Sequence, residues 1–240
     1  MYHSPDLNLG RSTMQAINHA ATALILKRKF PSAPLMGLIL ATEAVEYLWV
    51  GLNIIGVEKT IVDTPMKSVA DVHLVHMPFS HSIATSVIIA ALVGLIVFWR
   101  SGKAASAVSI AIGLGVFSHI VLDLLVHAPD IALTPLIGSP KFGTGLYSNL
   151  PLPALVLETL WGVFCWYYYR GSKKLLGLIL ALGAASIPIY SAAINIGEAA
   201  LSGHNVIFAF VIMGQMVATS ALVWIFAREK DDQAAIQAAV

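Results

Sequence analysis

Apolar residues run in six blocks, 34–56, 81–99, 104–127, 150–169, 175–196 and 205–227, and each approaches or exceeds the length needed to cross a bilayer. A helix rises ~1.5 Å per residue, so about 20 residues span a ~30 Å hydrocarbon core. Inside that core the backbone has no water to bond, and a helix satisfies its own amides. The expected fold is therefore all-α: a polytopic membrane helical bundle forming one domain over 1–240. Composition agrees, with 58% hydrophobic and 11% charged residues, against about 25% charged in soluble domains. A shorter apolar run, 14–26, covers ~20 Å and is closed by Lys27-Arg28-Lys29. Its length leaves three placements open: a surface amphipathic helix, a half-inserted helix, or a tilted seventh span. Residues 1–12 are polar and expected to fray, with no cleavable signal. The charged segment 228–240 reads as a disordered tail. Segments 57–80 and 128–149 read as loops, and Pro188 as a kink in the fifth block. No internal repeat is visible.

Of the 14 Lys and Arg residues, 11 collect on one side of this arrangement; Lys59, Lys67 and Lys141 lie on the other. The positive-inside rule then places the short basic loops and the C-terminus in the cytoplasm, and both long loops outside. No basic cluster of the kind that tracks phosphates is present, so nucleic acid is not an expected partner. The single Cys165 excludes an internal disulfide.

Against this apolar background stands Phe117-Ser-His-Ile-Val-Leu-Asp-Leu-Leu-Val-His127. It sets His119, Asp123 and His127 at i, i+4 and i+8, along one helix face. A charged side chain facing lipid costs roughly 2.5–3.5 kcal/mol at mid-bilayer, so this row calls for partners. Other polar groups sit at the same level, the outer half of the membrane. Glu46, with Glu43 one turn below, lies on the first full span; His81 opens the second, with His76 just before it; Glu158 lies on the fourth. Imidazoles and carboxylates form the ligand set of Zn²⁺, Mn²⁺ or non-haem iron. His119 and Asp123 offer one nitrogen and one oxygen to the same ion, and His76 and His81 add imidazoles. The plainer alternative is a His–carboxylate hydrogen bond joining helices. His73 and His204 read as solvated loop residues, and Tyr147 and Trp166-Tyr-Tyr-Tyr169 as interface-belt aromatics.

His76-x4-His81-Ser82 followed by Ser118-His119-x3-Asp123 resembles the membrane-bound metal-dependent hydrolases of bacterial inner membranes. Met77-Pro-Phe-Ser-His-Ser82, His119 to Pro135 and Gly143-Thr-Gly-Leu-Tyr-Ser-Asn-Leu-Pro151 are similar to segments of uncharacterised multi-pass proteins sometimes labelled permeases. The resemblance covers His19 to Tyr169. It implies a divalent-metal site, zinc above manganese or iron, held by His19, Glu46, His76, His81, His119 and Asp123, with His127, Asp130 and Glu158 nearby. Ala128 stands where the family carries Arg, Glu46 where Asp is usual, and Tyr147-Ser-Asn149 where the family has Trp-Asn-Ser.

The expected function is a membrane-embedded metal-dependent hydrolase. Its ion would activate water, with Glu43, Asp130 or Glu158 as the general base and His127 supporting the ligands. A site at the lipid–water level of the outer leaflet favours an amphiphilic or lipid-like substrate. The alternatives are a cation- or proton-coupled permease, and a structural or accessory subunit of a membrane complex, with a protein partner or a second copy of the chain.

Overall fold

The computed structural model describes residues 16–63, 66–102, 106–194 and 205–238. The polar start, Arg11, Lys103 and His204 lie outside the described residues. Helix α1 is Ala16–Lys29, α2 Leu35–Thr42 and α3 Ala44–Ile54. Strands β1, Lys59–Val62, and β2, Val72–His76, follow, and then α4, Ile83–Ser101, and α5, Ser106–Val126. Strands β3, Ile131–Ala132, and β4, Lys141–Phe142, lead into α6, Leu146–Asn149. The chain continues through α7, Pro151–Tyr169, α8, Lys173–Tyr190, and α9, Asn205–Ala238.

Among the described residues, four helical stretches are long and apolar enough to cross a membrane: α4, α5, α8 and Val206–Arg228 of α9. The α2–α3 pair makes a fifth if it is taken as one span, bent by 49°. This is fewer than the six expected. Helix α7 is long enough at 19 residues, but Pro151, Pro153, Glu158 and its Trp/Tyr end dilute its apolar character.

Helix α1 lies at the centre of the bundle. Ala20, Ala21, Ala23 and Leu24 are fully buried, and the helix packs on α2, α5, α7 and α9. A surface placement is therefore excluded. Three alanines in five residues let neighbouring backbones approach closely. The same device joins α4 to α5. A Cβ on Gly113 would come within 3.2 Å of the Ala90 carbonyl oxygen, and one on Gly94 within 3.3 Å of that of Ser109.

Both long loops contain structure that a purely α reading leaves out. Strands β1 and β2 form an antiparallel hairpin pairing Thr60 with Leu74 and Val62 with Val72. The hairpin docks on α3: Asn53 Oδ1 accepts from the Thr60 amide at 3.1 Å, and Trp49 Nε1 donates to Thr60 Oγ1 at 3.2 Å. Strands β3 and β4 pair Ile131 with Phe142. The α8 helix continues through Pro188 to Tyr190. The expected disordered tail is instead helical to Ala238, in keeping with its Ala, Gln, Glu and Lys content.

Candidate metal centre

Five side chains from four elements meet in the interior. His19 comes from α1, Glu46 from the first turn of α3, His81 from the residue before the N-cap of α4, and His119 and Asp123 from α5. Each position has a local cause. Helix α2 stops at Thr42 and α3 begins at Ala44, with Glu43 between them. The new helix start gives Glu46 a first-turn position, where the helix dipole favours a carboxylate. The stop leaves the Thr42 carbonyl among those that a helix end cannot bond internally, and His119 Nδ1 takes it at 3.1 Å. Ser82 caps α4, accepting from the Thr85 amide at 3.3 Å, and so fixes where His81 leaves the backbone.

The distances converge. His119 Nε2 lies 3.2 Å from Asp123 Oδ2 and 3.4 Å from Glu46 Oε2. His81 Nε2 lies 3.5 Å from Glu46 Oε2 and 3.6 Å from Asp123 Oδ2. His19 Nε2 lies 3.4 Å from Asp123 Oδ1. The His19 and His119 rings stack at 3.9 Å with 11° between their planes. Two triads, His19/His119/Asp123 and Glu46/His81/His119, each bring three ligand atoms within 4.8 Å of one another.

The decisive observation is that this proximity does not amount to hydrogen bonding. His119 Nε2 and Asp123 Oδ2 are buried and have no hydrogen-bond partner. A structural His–carboxylate pair would bond. Ligand bonds of ~2.0–2.2 Å to a tetrahedral ion instead hold neighbouring ligand atoms ~3.3–3.6 Å apart, and the His–carboxylate separations of 3.2 to 3.6 Å match that spacing. The residues fit a divalent metal.

No protein-family model, curated protein or solved structure matches the chain.

The site's chemistry therefore rests on its own geometry, and the outer contacts carry that further. Ser80 Oγ donates to Glu58 Oε2 and lies 2.8 Å from His81 Nδ1. A hydroxyl has one proton, so with that proton on Glu58 it accepts from His81 Nδ1–H. His81 Nε2 is then left with a lone pair. The Thr42 carbonyl does the same for His119, since a carbonyl can only accept. Both imidazoles are thus set as ligands through their outer nitrogens, the usual arrangement around metal-bound histidines. Glu58 is itself pinned by the Phe79 and Ser80 amides at 2.9 and 2.8 Å. Neither Glu58 nor Ser80 stands out in the sequence, where the loop reading of 57–80 hides their pairing.

Of the other candidates, His127 and Asp130 adjoin the cluster. His127 Nε2 is 3.8 Å from Asp123 Oδ1, and its Nδ1 is 3.6 Å from Asp130 Oδ1. Both Asp130 oxygens are buried without a hydrogen bond. Asp130 also lines a cavity of about 200 Å³ shared with Lys141 and His76. Glu43 is fully buried at the helix break, and neither of its oxygens has a hydrogen-bond partner. His76 is exposed at the end of β2, opposite Lys59, and belongs to neither ligand triad. Glu158 is held by two phenols: Tyr147 donates to Oε1, and Tyr190 to Oε2 at 2.7 Å.

Two expectations about polar side chains are corrected. Tyr147 is fully buried rather than part of an interface belt. Burial, and the Glu158 carboxylate beside it, push its pKa well above the ordinary phenol value, which keeps it a donor. His73 is buried rather than solvated, with Nε2 2.9 Å from Asp63 Oδ2.

Proposed function

We propose that this chain is a membrane-embedded metal-dependent hydrolase of the bacterial inner membrane. In this reading six segments cross the bilayer, with α7 and the bent α2–α3 pair among them, α1 is inserted within the bundle, and the C-terminus is cytoplasmic. The observation that carries the reading is the set of buried, unbonded nitrogen and oxygen atoms at ligand spacing. His81, His119, Glu46 and Asp123 hold a divalent ion, zinc before manganese or iron. Such an ion supplies Lewis acidity and lowers the pKa of water toward ~7.

The chain's own residues supply the rest. His81 and His119 are oriented by Ser80 and Thr42. Glu46, whose side chain keeps 17% of its surface exposed, marks the open edge of a cluster otherwise closed to solvent. Glu43 and Asp130 carry unbonded carboxyl oxygens and are the candidates for moving a proton. Glu158 already accepts from two phenols, so it is better suited to holding α6, α7 and α8 together. An amphiphilic substrate is supported by an apolar cavity of about 430 Å³ between α1, α5 and α7, lined by Leu114, Phe117, Val121, Leu125, Leu157 and Trp161. It runs along the same helix that carries His119 and Asp123.

The test is metal content by mass spectrometry of the detergent-purified chain beside the double variant His119→Ala/Asp123→Ala. Zinc, manganese or iron in stoichiometric amount, absent from the variant, is the expected result and opens a screen of lipid esters for product. No metal in either protein overturns the reading.

One observation favours a second reading, a cation- or proton-coupled permease. The α2–α3 break puts a helix end and a buried carboxyl at membrane depth, a feature of transporter binding sites. Ion flux into liposomes with no hydrolytic product would select it.

A further inference from the structure

Asp123 presents its two oxygens to two different sets of histidines. Oδ2 faces His119 at 3.2 Å and His81 at 3.6 Å. Oδ1 faces His19 at 3.4 Å and His127 at 3.8 Å. A carboxylate surrounded in this way is arranged as a bridge, each oxygen serving its own group of nitrogens.

His119 points to the same conclusion. It belongs to both triads, but its Nδ1 is committed to the Thr42 carbonyl. That leaves one lone pair, on Nε2, and one lone pair ligates one ion. The approach of Nε2 to Glu46 Oε2 at 3.4 Å and to Asp123 Oδ2 at 3.2 Å assigns it to the first set. His19 must then serve elsewhere. Its ring is stacked on that of His119 at 3.9 Å and nearly parallel. Imidazole lone pairs lie in the ring plane, so ions bound by two parallel rings stand about as far apart as the rings do. Two-metal hydrolytic centres hold their ions ~3.5–4 Å apart. Finally, His127 turns Nε2 toward Asp123, while its Nδ1 lies 3.6 Å from the Asp130 carboxylate, too far for a hydrogen bond.

We infer that the chain holds a second divalent cation on Asp123 Oδ1, His19 and His127, bridged through Asp123 to the first. This rests on the metal-centre reading above and adds its nuclearity. The two ions differ in surroundings. The first is held by two histidines and two carboxylates, the second by two histidines and the shared carboxylate, so the second is the more weakly bound.

The full-length chain in detergent, stripped with chelator and reloaded with Mn²⁺, is measured for bound manganese and by electron paramagnetic resonance. Two equivalents per chain with an exchange-coupled signal are expected. His127→Asn, and separately His19→Asn, should each bring the content to one equivalent and convert the signal to the six-line pattern of an isolated ion. Agreement between two variants on different helices separates ligand loss from misfolding. One equivalent in the unaltered chain, or two with uncoupled spectra, overturns the second ion while leaving the first reading intact. Two equivalents retained in both variants overturns the ligand assignment. No bound manganese overturns both readings.

Discussion

Ser80 shows how a small side chain governs the imidazole beside it. Its single proton goes to Glu58, so it can only accept from His81, and the imidazole presents its lone pair to the cluster. In Ser80→Ala the imidazole loses this partner and both its tautomer and ring angle become free. Loss of such an outer partner weakens metal binding about 10–100-fold. Competition with a chromophoric chelator should show this drop with the number of ions per chain unchanged, and an unaltered affinity would remove Ser80 from the site. Residues of this kind were not legible in the sequence. His119, Asp123, His81 and Glu46 were, because polar groups at one depth in apolar helices have few reasons to agree. Glu58 and Ser80 lie in a polar loop where an acid and a serine are ordinary. Tyr147 is hidden for a related reason: near a span end an aromatic residue suits the interface, and nothing local indicates that Glu158 takes its hydroxyl.

At the scale of elements, the turn after α5 is held by glycines. Gly143 has φ of +147°, and a Cβ there would lie 2.1 Å from the Ala128 carbonyl oxygen. Gly145 donates its amide to the His127 carbonyl at 2.6 Å. Between them they press the β3–β4 hairpin onto the end of the helix that carries the site. Gly143→Ala forces backbone against backbone as well as an unfavourable φ, and a loss of about 1–3 kcal/mol is expected. Gly138 is the control: it has φ of +79° with nothing nearby, so alanine there meets only the left-handed penalty, about 1–2 kcal/mol. Thermal unfolding in detergent should rank Gly143→Ala as the more damaging; the reverse order would show that the turn is not a support. The helices themselves were largely readable from their apolar blocks. The hairpins were not, although Val72-His-Leu-Val-His76 alternates as a strand does. Apolar length dominates the pattern of such a chain, and whatever lies between the blocks is read as connection.

For the whole molecule, the cluster is a junction. Elements α1, α3, α4 and α5 each supply a side chain of the cluster or lead directly from one, and unfolding must separate them. A ligand bound only to the native state stabilises by RT ln(1 + [L]/Kd), about 4 kcal/mol at 1,000 times Kd. Chelation should accordingly lower the melting temperature in detergent, and adding back zinc or manganese should restore it. A melting temperature indifferent to both would mean that the bundle does not depend on the ion. What the sequence could not convey at this scale is the place of α1. The run 14–26 is 13 residues long, four of them polar, and too short for a standard span, and only the packing reveals that it fills the middle.

That central position has a consequence for how the chain is made. Helix α1 is made before the surfaces that cover it, which belong to α2, α5, α7 and α9, and the last of these begins at Asn205. During synthesis α1 has to wait for α9. Until α9 arrives, a helix built of alanines and carrying His19 and Asn18 inward lacks part of its enclosure. His19 thus takes its final place only after α9 has been made, and the cluster is assembled later than the helix that carries its first member.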